Sequence, residues 1–163
     1  MGRGSGPTRV RVAVKAVVVQ DGRLLTVKIR DLLNPERFYY ALPGGGQRPG
    51  ENLHEAMERE CLEEVGVRVE VGPLLFVREY IGTNHEYAAV DSEFHQVEMV
   101  FSCTLLDAAE VGNGHAPDDR QVAVEWIDLA RLNEHFFRPR ALVKHLQSPL
   151  VYPERPIYSG DVN

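Results

Sequence analysis

Of 163 residues the chain has two cysteines, three methionines and one tryptophan. Cys61 and Cys103 sit in separate apolar segments with no secretion signal before them, so buried reduced thiols are expected rather than a disulfide scaffold. No apolar run approaches the roughly 18 residues of a membrane span. The opening MGRGSGPTRV lacks the apolar centre of a signal peptide, and its glycines and serine read as a flexible tail over residues 1–8. An excess of basic residues is missing too. Lys plus Arg number 18 against 24 for Asp plus Glu, a net charge of −6. That balance speaks against a nucleic-acid partner held by its phosphate backbone. What remains is an acidic, soluble chain of ordinary composition, 44% apolar and 26% charged, expected in the cytoplasm as one domain over residues 9–147. Pro149, Pro153 and Pro156 suggest an extended tail over 148–163.

The chain mixes strands and helices without a βαβ rhythm, which predicts an α+β domain with a mixed sheet. Residues 10–29 read as a hairpin about Asp21-Gly22, because a type I′ turn needs positive φ at both central positions. A short strand over Tyr39–Leu42 ends at Pro43-Gly44-Gly45-Gly46. Asn52 to Val65 reads as a helix, with Asn52 and Glu55 forming a capping box and Gly66 closing it. Val67–Val71, Leu74–Ile81, His95–Leu106 and Val122–Ile127 read as strands, with polar loops at 82–93 and 107–121. Short helices are expected near 128–136 and 139–147.

The acid is concentrated. Residues 51–64 hold six glutamates against Arg59, a local charge of −5. At about 100° per residue, Glu60, Glu63 and Glu64 lie within about 100° of arc, on the same side as the apolar stripe of Ala56, Met57 and Cys61. Like charges at these spacings repel by roughly 0.2–0.5 kcal/mol per pair even when exposed, and His54, Glu55 and Glu58 already occupy the solvent side. Carboxylates one turn apart on a core-facing side suit a hard divalent cation. Arg59 can reach Glu55 and Glu63 and hold the array in register. The preceding glycines let backbone approach a ligand closely, so the pair of features points to a metal–phosphate site.

Gly45, five residues, Glu51, seven residues, then Arg59-Glu60-Cys61-Leu62-Glu63-Glu64-Val65-Gly66-Val67 resembles the Nudix box, G-x5-E-x7-R-E-U-x-E-E-x-G-U with U apolar. Every fixed letter is present, and Cys61 is a mild variation at an apolar position. The resemblance implies a Nudix-like α/β/α sandwich with a mixed central sheet and the box as loop–helix–loop. It implies hydrolysis of a diphosphate bond in a nucleoside diphosphate linked to another group, using Mg²⁺ or Mn²⁺. Carried over, Glu60, Glu63, Glu64 and the Gly44 carbonyl become metal ligands. Glu60 and Glu64 could also accept the water proton, Arg59 and Glu51 orient the array, and Gly45 and Gly66 are structural. Many family members pair as two-fold dimers, so a homodimer is compatible. A non-catalytic nucleotide-metabolite sensor on the same fold is the alternative, and the intact box argues against it.

Outside the box, Glu98, Glu110, Asp118, Asp119 and Glu125 are candidates for a further base. Glu98 stands out, because a glutamate inside an apolar strand requires a partner. Tyr39 and Tyr40, before the glycines, are the first candidates for stacking on a base or sugar, followed by Phe38, Tyr80 and Phe94. Gly45 is a candidate for close backbone approach to substrate. Arg78, with Arg30 and Arg37, is a phosphate contact by charge alone, with surface solvation the plainer reading. The histidines show no i, i+4 zinc spacing, and His85 and His95 flank the 82–93 loop. Subfamily signatures that would name the substrate are absent: residues 80–83, Tyr-Ile-Gly-Thr, lack the proline typical of ADP-ribose hydrolases.

Overall fold

A computed structural model describes residues 9–106, 110–148 and 157–163. The tail expected over residues 1–8 lies outside them. Eight strands are seen among the described residues: β1 (Arg11–Val17), β2 (Val19–Gln20), β3 (Arg23–Arg30), β4 (Phe38–Ala41), β5 (Val69–Ile81), β6 (His95–Leu105), β7 (Gln121–Asp128) and β8 (Tyr158–Asp161). The helices are α1 (Leu53–Val65), α2 (Ala88–Asp91) and α3 (Val143–Gln147). Shorter 3₁₀ turns cover Gly82–Asn84, Leu129–Glu134 and Arg140–Leu142. No described helix is long and apolar enough to cross a membrane.

The first sheet runs β1-β6-β5-β8 and is mixed: β1–β6 and β5–β8 are parallel, β5–β6 antiparallel. The second is antiparallel about β3, with β7 on one edge and β2 and β4 on the other. Side chains alternate across each strand, and this splits the apolar residues into two cores. Val14, Ala16, Leu25, Val27, Phe101 and Cys103 pack with Ala56, Met57, Cys61 and Val65 of α1. Val17, Leu24, Val100 and Ile127 pack with Leu132, Leu142, Val143 and Leu146 on the other side. The result is the layered α/β/α arrangement with a mixed sheet. Both cysteines are free and buried.

Helix α1 forms as its sequence dictates. Asn52 accepts from the Glu55 N–H at 2.9 Å, Glu55 accepts from the Asn52 N–H at 2.8 Å, and Gly66 closes the helix at φ 71°. The Asp21-Gly22 turn has positive φ at both residues, 49° and 73°.

The segment expected as a loop over 82–93 holds a 3₁₀ turn and α2, and three strand assignments also differ from expectation. The hairpin is only β2–β3; β1 leaves it after Val17 to pair with β6. A tight turn fixes where pairing starts but not how far it runs. The two strands expected over Val67–Ile81 are one, β5, with register shifts between Val71 and Phe76 where Gly72-Pro73 interrupts the ladder. The C-terminal segment is no free tail at its end: Tyr158–Asp161 lies parallel on the β5 edge, opposite Val77 to Glu79. An edge strand offers unpaired N–H and C=O groups, and β8 satisfies them. The prolines precede this strand, in 149–156, outside the described residues.

Candidate active site

Residues 43–47 lie along β1. Ala16 N–H donates to Pro43 O, Val14 N–H to Gly45 O and Gln47 N–H to Val12 O, each at 2.9 Å. Gly44 has φ +136°, and a Cβ there would stand 2.1 Å from Val14 O, so only glycine fits. Gly45 is constrained from the other side: its Cβ would meet Glu60 Oε2 at 2.6 Å. Glycine here makes the room in which the helix carboxylate sits.

Glu60 and Glu64 face one cleft of about 460 Å³, lined also by Gly44, Gly45, Arg11 and Lys15. Glu64 Oε2 accepts from the Gly44 N–H at 2.7 Å. Burial pushes the Glu64 carboxyl up to about 7, against the opposing pull of the Lys15 charge and the Gly44 N–H. Arg59 is the hub of the array. It donates to Glu51 at 2.8 Å, Glu60 at 2.7 Å, Glu63 at 3.0 Å and Gly46 O at 2.9 Å. Its bonds to Glu51, opposed by burial and aided by Glu60, raise the guanidinium pKa further. Glu51 in turn is held below the usual carboxylate range, first by Arg59, and also accepts from the Arg48 N–H at 2.7 Å.

The sequence and structure comparisons agree with this geometry. The model of the NUDIX domain matches residues 8–146. The chain belongs to the NUDIX family. It is 33% identical over 135 residues to an ADP-ribose pyrophosphatase of Methanocaldococcus jannaschii, spanning 82% of this chain and 70% of that protein. It is 29% identical over 129 residues to a nucleoside triphosphatase NudI of an Enterobacter species, 77% of this chain and 91% of the other. The crystal structure of a MutT NUDIX hydrolase from Burkholderia pseudomallei superposes with a TM-score of 0.66 at 28% identity, over 86% of this chain and 99% of that one. The chain is accordingly a NUDIX hydrolase, an enzyme acting on the acid anhydrides of nucleotides. Enzymes of this family generally need a divalent metal.

The oxygen-only donors of this NUDIX site suit such an ion. Among the described residues no three acidic, His or Cys side chains already converge on one point. Arginines explain the spacing. Arg59 binds Glu60, and Glu63 is shared between Arg59 and Arg48, the latter at 3.3 Å, without lining the cleft. The expected Arg59–Glu55 contact does not form, because Glu55 is used by the capping box.

Glu98 has the partner its position demands. It is 5% exposed, takes Arg78 Nε at 2.5 Å and Gln96 Nε2 at 2.8 Å, and lines the cleft. Arg78 is therefore not a solvated surface charge: it is 7% exposed and also donates to Val162 O at 2.6 Å. Tyr39 lines the cleft but Tyr40 does not, since neighbours on a strand face opposite sides. Tyr40 instead donates to Glu125 at 2.9 Å. That contact, with Lys28 at 3.3 Å, keeps Glu125 out of the cleft. Of the candidate acids Glu110, Asp118 and Asp119, Asp118 lines it and the other two do not; Tyr80 and Phe94 do, Phe38 does not. His85 and His95 pair with Asp161 and Glu79.

Sequence reasoning missed Lys15, Arg11, Tyr87, Asp91, Arg120, Arg138 and Asn163, all of which line the cleft. Lys15 was detectable, because it interrupts an apolar run from Val12 to Val18 just as Glu98 interrupts its own strand. The others are ordinary loop or surface residues in sequence.

Proposed function

We propose that this enzyme uses Mg²⁺, with Mn²⁺ able to replace it, to cleave the diphosphate bond of a small nucleoside diphosphate derivative in the cytoplasm. The observation that carries the reading is the shared cleft: Glu60 and Glu64 stand on it beside the Gly44-Gly45 backbone, with Arg11, Lys15, Arg120 and Arg138 around it. Carboxylates for a cation and cations for a polyanion meet in one space. The names of the two relatives, an ADP-ribose pyrophosphatase and a nucleoside triphosphatase, share a nucleotide anhydride as the bond cut and differ in the leaving group.

Glu60 and Glu64 would hold the ion from the cleft, with Glu63 on the same helix face. A bound divalent ion supplies charge neutralisation of the diphosphate oxygens and a more acidic water. Gly45 leaves the space for the Glu60 carboxylate, and Arg59 fixes the direction of that carboxylate through Glu51. Asp118 faces the same cleft as an acceptor for the water proton. Glu98 is less suited to that role, because Arg78 and Gln96 occupy its two oxygens. Tyr39, Tyr80 and Phe94 offer the apolar part of the cleft to a base or sugar.

The test is product release from a panel of nucleoside diphosphate derivatives and nucleoside triphosphates, with and without Mg²⁺. Glu64→Gln is expected to lower turnover at least about 100-fold while the melting temperature barely moves. Metal-loaded protein that acts on no panel member would overturn the reading, as would a Glu64→Gln chain that loses activity only by unfolding.

A further inference from the structure

Strand β1 carries a lysine where only apolar residues are expected. Lys15 is flanked by Val14 and Ala16, both fully buried, and is itself half-buried. Burying the stem of a lysine is ordinary, but its ammonium must then reach water or a partner. Here Nζ donates to the Gly44 carbonyl at 2.9 Å. That carbonyl is singled out by the loop. The carbonyls on either side, of Pro43 and Gly45, are taken by the backbone N–H groups of Ala16 and Val14. Gly44 packs closely against β1, where an added Cβ would stand 2.1 Å from Val14 O. The Gly44 N–H meanwhile holds Glu64. One glycine thus joins the ammonium on one side to a box carboxylate on the other.

The surroundings are acidic. Lys15 shares the cleft with Glu60, Glu64 and Glu98.

We propose that Lys15 is a positioning residue that acts as the resident cation of the cleft: its ammonium keeps the Gly44 carbonyl out of the metal donor set and offsets the neighbouring carboxylates, so the enzyme binds fewer divalent ions than its oxygen donors could hold. The proposal rests on the metal-dependent reading above and adds to it which positive charge belongs to the protein itself. A lysine in this place also keeps the glycine loop seated when the metal has left.

The experiment counts bound Mn²⁺ on metal-stripped protein without substrate, by loss of the free-ion electron paramagnetic resonance signal and by calorimetry. Wild type, Lys15→Met and Lys15→Arg are compared, with Lys15→Gln in reserve if Lys15→Met does not fold. The expected result is one additional Mn²⁺ per chain in Lys15→Met (or Lys15→Gln) and the wild-type number in Lys15→Arg, since a carbonyl is freed and a positive charge is removed from the cleft that the carboxylates share. Unchanged stoichiometry and affinity in the neutral variant, with wild type still active on the substrate panel, would overturn the proposal and leave the proposed function standing. A lower melting temperature with the same Mn²⁺ count would mark Lys15 as merely structural and overturn it equally. Failure of every form to bind Mn²⁺ would overturn both readings.

Discussion

Arg78→Met should be among the most destabilising single changes in the sheet, and its cost can be reasoned from the structure. The Arg78 and Glu98 side chains are 8% and 6% exposed, with Nε and Oε2 2.5 Å apart. Removing the guanidinium leaves a buried carboxylate with Gln96 Nε2 at 2.8 Å and the charge of Lys15 for company. Breaking a buried pair from one side costs about 3–5 kcal/mol, and the two remaining partners place this case at about 3 kcal/mol. For a chain of this length that is a fall of about 6–12 °C in melting temperature. The double variant Arg78→Met/Glu98→Leu should recover most of the loss, since an apolar pair carries no desolvation cost. Urea melts followed by the single tryptophan, Trp126, measure all three midpoints. A cost below about 1 kcal/mol for Arg78→Met, the range of exposed pairs, would refute the reasoning, as would a double variant no more stable than the single.

Acid provides a check on sign. Burial opposes charge on Glu98, but Arg78, Lys15 and Gln96 outweigh it and hold the carboxyl below its usual range. A depressed carboxyl contributes its stability in full above the unfolded value of about 4.3 and loses it as pH falls through the lower folded value. The advantage of wild type over the double variant should therefore shrink below pH of about 4. An advantage that grows in acid would contradict the assignment.

Two further substitutions separate the array from its scaffold. Arg59→Lys keeps the charge but loses the fork that spans Glu51, Glu60, Glu63 and Gly46 O; turnover is expected to drop about 10–100-fold, and steady-state kinetics at saturating metal check it. Asn52→Ala removes the cap from the Glu55 N–H and should cost about 1 kcal/mol in urea melts with turnover unchanged.

What was legible in sequence was what is local. Asn52, Glu55 and Gly66 fix both ends of α1, and the spacing of Glu60 and Glu64 fixes the face they share, so the helix and its carboxylates follow from one short stretch. Arg59 was misread by one partner because the capping box had a prior use for Glu55. Tyr39 and Tyr40 needed only the alternation of a strand to be told apart, and that signal was present. The parallel pairings β1–β6 and β5–β8 were not legible, since nothing in either segment names a partner so far along the chain.

The charged floor of the cleft lies between these cases. Lys15, Glu98 and Arg78 each interrupt an apolar strand, and the three strands are neighbours in the order β1-β6-β5. Arg78 stands directly opposite Glu98, while Lys15 stands opposite Val100, one pleat along from Glu98 on the same face. The face they share carries Val17, Val100 and Phe76 of the second core further along. None of these charges is tolerable there alone, because an unpaired buried ion costs far more than one residue of strand can return. A lone glutamate in an apolar strand is thus evidence for cations on neighbouring strands, and here Lys15 of β1 and Arg78 of β5 supply them. Sequence supplies the members of such a row; only the register of the sheet decides which of them touch. Here it gives Arg78 to Glu98 and leaves Lys15 for the Gly44 carbonyl, so the pairing of the strands, set far from the box, decides which positive charge reaches the box loop.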